Sequence, residues 1–149
     1  MKGKRRFSGQ SVNEFALILP FAFLLLMGFF DLGRTVYYYS SLTNAVREGT
    51  RYAIVHRDEI EFAYDNPTNN SLQDKVLEYA IGLTEIADPL TKDDIFIDVE
   101  KAGKYFSTVS IEVSYPYKPI TPLVTQLFGS SEGIDLIVRS KMQVTPGSK

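Results

Sequence analysis

From Phe15 to Phe30 the chain reads FALILPFAFLLLMGFF, sixteen residues without a charge. A helix needs roughly 20 apolar residues to cross a hydrocarbon core about 30 Å thick, so this run spans a slightly thinned bilayer, with Ser11 to Asn13 lengthening it at the headgroups. Beyond it no proline occurs between Asp31 and His56, and Leu32, Val36, Tyr39, Leu42 or Thr43, and Val46 recur at spacings of three and four. That period predicts that the membrane helix continues into the aqueous side as a stalk ending near Val55. At ~1.5 Å per residue the helix from Gln10 to Val55 is about 69 Å long. Each of Gly28, Gly33 and Gly49 weakens a helix by about 1 kcal/mol relative to Ala, and their retention points to close helix packing. Pro20 is expected to kink or locally open the helix within the bilayer.

The remaining pattern predicts a small head. Asp58 to Asn70 ends in the turn formers DNPTNN and reads as a loop. Ser71, with Asp74 three residues on, approximates a capping box, and Leu72, Val76, Tyr79, Ala80 and Leu83 form one apolar face of a helix reaching Ile86. Ile95, Ile97 and Val99 alternate with polar residues, as do Val109, Ile111, Val113 and Tyr115, which predicts a hairpin turning at Gly103. Prolines at 116, 119 and 122 end that strand. A short helix follows from Pro122 through Phe128, and a last strand runs from Ile134 to about Val144. The fold class is α+β: a long N-terminal transmembrane helix continuing as a stalk, and a C-terminal head of antiparallel strands packed on helices. The boundaries that follow are 1–9, 10–56 and 57–149.

Composition narrows the chemistry. There is no Cys, which excludes a disulfide framework, a thiolate zinc site or a Cys nucleophile, and the single His cannot supply a multi-histidine centre. A net charge of −2 carries no basic excess suited to nucleic acid. No phosphate-binding glycine loop, nucleophile elbow or H-E-x-x-H occurs, so no enzyme activity and no cofactor are expected. Asp88, Asp93, Asp94 and Asp98 match no Ca²⁺-loop spacing and read as a solvated face, so no metal site is assigned. Tyr37-Tyr38-Tyr39 reads as an interfacial aromatic belt or the seat of the head. Arg47, Glu48 and Arg51 have the spacing of surface ion pairs, and His56 reads as an exposed residue near the helix end.

Charge also orients the membrane segment. Lys2, Lys4, Arg5 and Arg6 precede the apolar run while Asp31 and Arg34 follow it, placing the N-terminus in the cytoplasm and the head outside. Three kinds of N-terminus remain: a cleaved secretory signal, an uncleaved signal anchor, and a leader cut on the cytoplasmic side. The first wants a small-x-small site after the apolar core, where this chain has Asp31-Leu32-Gly33-Arg34. The third wants a small residue closing the basic leader, and Gly9 stands there, followed by Gln10-Ser11-Val12-Asn13-Glu14-Phe15. Glu14 is the fifth residue after Gly9, and a carboxylate heading a transmembrane helix is costly unless it stays at the interface or meets a cation.

In its GQSVNEFA start, its Pro20-containing apolar helix, the DLGR exit at Asp31 to Arg34 and the NAVREGTRYA stretch at Asn44 to Ala53, the chain resembles the TadE-like pseudopilins of tight-adherence pilus systems. The resemblance covers Gly9 to about Val55. It implies that a prepilin peptidase cuts between Gly9 and Gln10, leaving 12 basic against 18 acidic side chains. It further implies that Glu14, next to Phe15, pairs with the N-terminal amine of a neighbouring subunit. The expected product is a single-pass inner-membrane protein with an extracytoplasmic head, acting in filament assembly, adhesion or secretion. Its expected partners are the prepilin peptidase, other pilin-like subunits, membrane lipid and, indirectly, platform proteins and a motor ATPase. The alternative is an uncleaved, membrane-anchored binding module.

Overall fold

A computed structural model describes residues 9–68, 70–80, 89–102, 105–121 and 133–144. The expected long helix is present as α1, Gly9–Val55, 47 residues running through Pro20 as one assigned helix. It is long and apolar enough to cross a membrane. From Ser11 to Phe30 its side chains are exposed almost throughout, as a segment solvated by lipid requires. Beyond Phe30 it becomes a component of the head. Tyr38, Leu42, Ala45, Val46 and Ala53 are buried on one face, so the aqueous half of α1 is the central helix of the core rather than a free stalk.

The buried face keeps Leu42 and Val46 of the expected stripe but departs from it before them. Leu32, Val36 and Tyr39 are more than half exposed, while Asp31, Tyr38, Leu42, Ala45 and Val46 turn inward. Hydrophobicity alone misjudged the phase, because a buried carboxylate and several small residues define the inner stripe. His56 interrupts the helix with φ −107° and ψ 84°, and its ring stacks on Tyr52 at 4.0 Å between centroids.

The segment expected to be a loop after His56 instead forms α2, Arg57–Asp65. Ile60 and Ala63, three residues apart, bury one side of it, and Asp58 and Glu59 sit favourably in its positive first turn. The turn formers act only from Asn66 onward. Next comes α3, Ser71–Tyr79, whose capping box lies one residue earlier than expected. The Asn70 side chain accepts from the Gln73 amide at 3.1 Å, and Gln73 Oε1 accepts from the Asn70 amide at 3.1 Å. Ser71 donates instead to Glu59, tying α3 to α2. α3 ends at Tyr79, the Ala80 amide being shared between the Val76 and Leu77 carbonyls, and the expected stretch on to Ile86 falls outside the described residues. Residues 81–88 lie outside the described part.

A 3-10 turn, Lys92–Asp94, leads into β1, Ile95–Ala102, followed by β2, Tyr105–Tyr117, and β3, Ile134–Gln143. They form one antiparallel sheet in the order β1-β2-β3. Strand β2 continues through Pro116, which pairs with Asp135, and ends one residue later than the prolines suggested. The alternation that buries Tyr115 carries Tyr117 to the same face, and that burial holds the strand together past the missing donor. Ile97, Ile111 and Val138 lie among the inward residues; β2 and β3 pack on α1, and β1 on α2. Buried Gln73 spans the two layers, donating to the Lys92 and Ile95 carbonyls at 3.1 and 2.9 Å. The expected hairpin turn at Gly103 and the helix from Pro122 through Phe128 lie outside the described residues.

Of the three helix glycines, only Gly49 meets another element of the chain. A Cβ there would stand 2.5 Å from Val76 Cγ2 of α3, whereas Gly28 and Gly33 face open space. Gly49→Ala is therefore expected to cost about 1–3 kcal/mol through overpacking, despite its better helix propensity. Gly33→Ala is expected to leave stability unchanged or raise it by up to about 1 kcal/mol. Thermal unfolding of the detergent-solubilised full chain checks both, and equal shifts for the two variants would refute the close α1–α3 approach.

Candidate functional site

The first residue after the apolar run is a buried carboxylate with several partners. Asp31 is 3 % exposed, and the chain segment that follows β2 closes over it. Asp31 Oδ1 accepts from the Ile120 amide at 2.9 Å and Oδ2 from the Thr121 amide at 2.7 Å. The Tyr117 hydroxyl donates to the Asp31 carbonyl at 3.1 Å. Two stretches separated by about ninety positions, DLGR and YPYKPIT, thus form one clasp at the helix exit.

Arg34, one turn on, completes it. Its Nη1 lies 3.9 Å from Asp31 Oδ1, an ion-pair distance, and its Nη2 donates to the Tyr38 hydroxyl at 3.1 Å. The guanidinium carbon stands 5.4 Å from the Tyr38 ring centroid and 5.7 Å from that of Tyr117. Tyr38 in turn meets Tyr115 and Tyr117 edge to face, with centroids 5.9 and 5.6 Å apart. A cation held over aromatic faces near a buried anion strengthens as water is excluded. Burial disfavours the charged Asp31 carboxyl, but the two backbone amides and Arg34 help outweigh it, holding its pKa below the usual carboxylate range. Burial pushes the Tyr117 phenol up, which keeps its proton available for donation.

Just before β3, Gly133 adopts φ 106°, and a Cβ there would stand 2.6 Å from the Tyr117 carbonyl oxygen. Glycine thus lets the chain leading into β3 pass close against the clasp. The three consecutive tyrosines divide their work: Tyr38 seats the head, while Tyr37 and Tyr39 remain half exposed. Tyr37, Ser40, Ser41, Asn44 and Tyr79 line a shallow groove of about 320 Å³ with neutral groups.

The other residues singled out from the sequence are dispersed. Gly9 is the first residue of α1, followed by Gln10, and Glu14 and Phe15 are exposed one turn further on. Arg47, Glu48 and Arg51 are exposed and form no ion pair among the described residues. Asp94 caps its own turn, accepting from the Thr91 amide at 2.8 Å, while Asp93 and Asp98 are exposed and Asp88 lies outside the described residues.

One continuous helix carries both Glu14 and the DLGR exit. Residues 9–51 match the TadE-like protein family. The match ends inside α1, two residues short of the buried Ala53, and therefore covers the apolar span, the helix half of the clasp and the Gly49 contact. No curated protein and no solved structure matches the chain. The TadE-like segment thus supplies Asp31 and Arg34, and the portion beyond it supplies the amides and the tyrosine that receive them. Sequence spacing did not reveal this partnership. Its visible trace is an Asp and an Arg three residues apart immediately after an apolar helix, where a buried partner is the economical way to satisfy them.

Asp31→Asn is expected to destabilise the head by about 1–3 kcal/mol at neutral pH, since one amide loses its charged acceptor. Because the folded-state pKa is depressed, the wild-type advantage is fully present above the ordinary carboxylate value and is lost as pH falls through the lowered one. Unfolding midpoints of both forms between about pH 7 and about pH 2 should converge with acidification. A constant gap would show that the carboxylate charge contributes nothing to the clasp.

Proposed function

We propose that this chain is a pilin-like subunit of a tight-adherence pilus or secretion assembly, processed by a prepilin peptidase between Gly9 and Gln10. The observation that carries this reading is the TadE-like match over residues 9–51, all of which lies within one continuous helix. The basic residues before Gly9 favour a cytoplasmic N-terminus and an extracytoplasmic head.

Assembly follows from the exposed features of that helix. Cleavage creates an α-amino group at Gln10 close to the Glu14 carboxylate of an adjacent helix, and pairing the two relieves the cost of a charge at the edge of the apolar span. Gly28 and Gly33 have nothing within 4 Å above them in the single chain, which leaves room for a neighbouring helix to approach closely. The role is structural, with no catalysis, and the energy of assembly comes from a separate motor ATPase acting through platform proteins.

Intact mass and N-terminal sequencing of membrane-extracted protein, from cells with and without the peptidase, test this directly. A start at Gln10 that depends on the peptidase is the expected result. A start at Met1 with the chain still membrane-bound would favour an anchored binding module, and cleavage beyond Phe30 would identify a secretory signal. Glu14→Gln should be cleaved normally yet enter surface filaments less than the wild type, measured by comparing sheared filaments with the membrane fraction.

A further inference from the structure

We infer that the head is seated on the bilayer, with Ile120 and Leu32 buried in the layer between headgroups and acyl chains. This rests on the reading of α1 as a membrane-spanning helix. The first observation is a shortfall of length: sixteen residues at ~1.5 Å each cover about 24 Å of a hydrocarbon core near 30 Å. The missing ~6 Å is about one helical turn, and it must be found at one end of the run.

At the N-terminal end the adjoining turn, Ser11-Val12-Asn13-Glu14, lengthens the span only at the headgroups, since three of its four side chains are polar or charged. At the other end the obstacle is the charge of Asp31 and Arg34: the clasp buries Asp31 against two head amides, and it holds the Arg34 guanidinium, its side chain 37 % exposed, between Asp31 and two tyrosine rings. What the first turn past Phe30 presents outward is Leu32, 61 % exposed, with Val36, 62 % exposed, one turn above. The same carboxylate fixes Ile120 at this level, because the Ile120 amide is 2.9 Å from Asp31 Oδ1. Its side chain is 65 % exposed, comparable to Phe29 and Phe30 inside the apolar run. An isoleucine held there by its own backbone, with a proline before it, extends the apolar surface of the span onto the head. Lipid is the occupant that this continuity favours, since the patch begins where the membrane segment stops.

The chain contains no Trp and no Cys, so single reporters can be placed without background. Ile120→Trp, Phe23→Trp and Ile137→Trp variants of the full chain are reconstituted in dilute vesicles of phosphatidylcholine and phosphatidylglycerol. Phe23 is exposed within the span and Ile137 on the outer face of the sheet. The proposal expects Ile120→Trp emission to be blue-shifted relative to Ile137→Trp, quenched by lipids brominated near the headgroup end of the chain, and shielded from aqueous iodide. Iodide quenching without lipid quenching, with Phe23→Trp still quenched by lipid, would overturn the seat and leave the membrane span standing. Shielding from both quenchers would show a neighbouring protein covering the patch, and also overturns it. If Phe23→Trp is unquenched by lipid, the span itself fails and the seat with it. Ile120→Cys carrying a nitroxide repeats the reading should Trp disturb folding: greater accessibility to oxygen than to a water-soluble relaxant supports the seat, and the reverse rejects it.

Discussion

An ionised carboxylate placed one residue past an apolar helix must find donors, and the fold is arranged so that Asp31 finds them in the head. Two backbone amides and one guanidinium converge on it, and a tyrosine hydroxyl reaches the carbonyl of the same residue. These bonds fix the distance of the head from the end of the apolar run. They also bring the end of β2 against the helix, so that Tyr115 and Tyr117 can pack on Tyr38. A neutral residue at position 31 would keep the tyrosine packing but lose the charge that draws the Ile120 and Thr121 amides over that turn.

The second constraint is economy of elements. A three-stranded sheet needs one face covered, and the described α2 and α3 are nine residues each, too short to cover it alone. The aqueous half of α1 supplies the missing layer, and Gly49 lets α3 lie close beside it. Membrane segment and core helix are therefore one rod. The small residues Ala45, Gly49 and Ala53 on its inner side reflect that approach as much as any helix preference.

Much of this architecture was readable along the chain, because long elements with clean periodicity depend on local pattern. The 47-residue helix and the three strands follow from unbroken runs and strict alternation. Expectation failed where a tertiary partner changes the value of a residue. Leu32, Val36 and Tyr39 have the right spacing for a core stripe, yet a buried Asp31 and a buried Tyr38 set a different phase. The turn-rich composition of 65–70 concealed α2, whose inward side is little more than Ile60 and Ala63. The clasp was hidden for a further reason. Its halves lie some ninety residues apart, and one of them contributes backbone amides, which no side-chain motif records.

The helix that carries the apolar span is also the middle of the core, so the head is built onto that helix rather than joined to it by a linker. Its compass bearing about the helix axis is set inside a single chain, before any neighbour arrives. Every copy presents its outer sheet, with the Arg139–Glu112 and Lys141–Glu100 pairs, along one fixed direction relative to Glu14 at the far end of the helix. A turn of the apolar half of that helix about its axis would therefore carry the sheet face round with it.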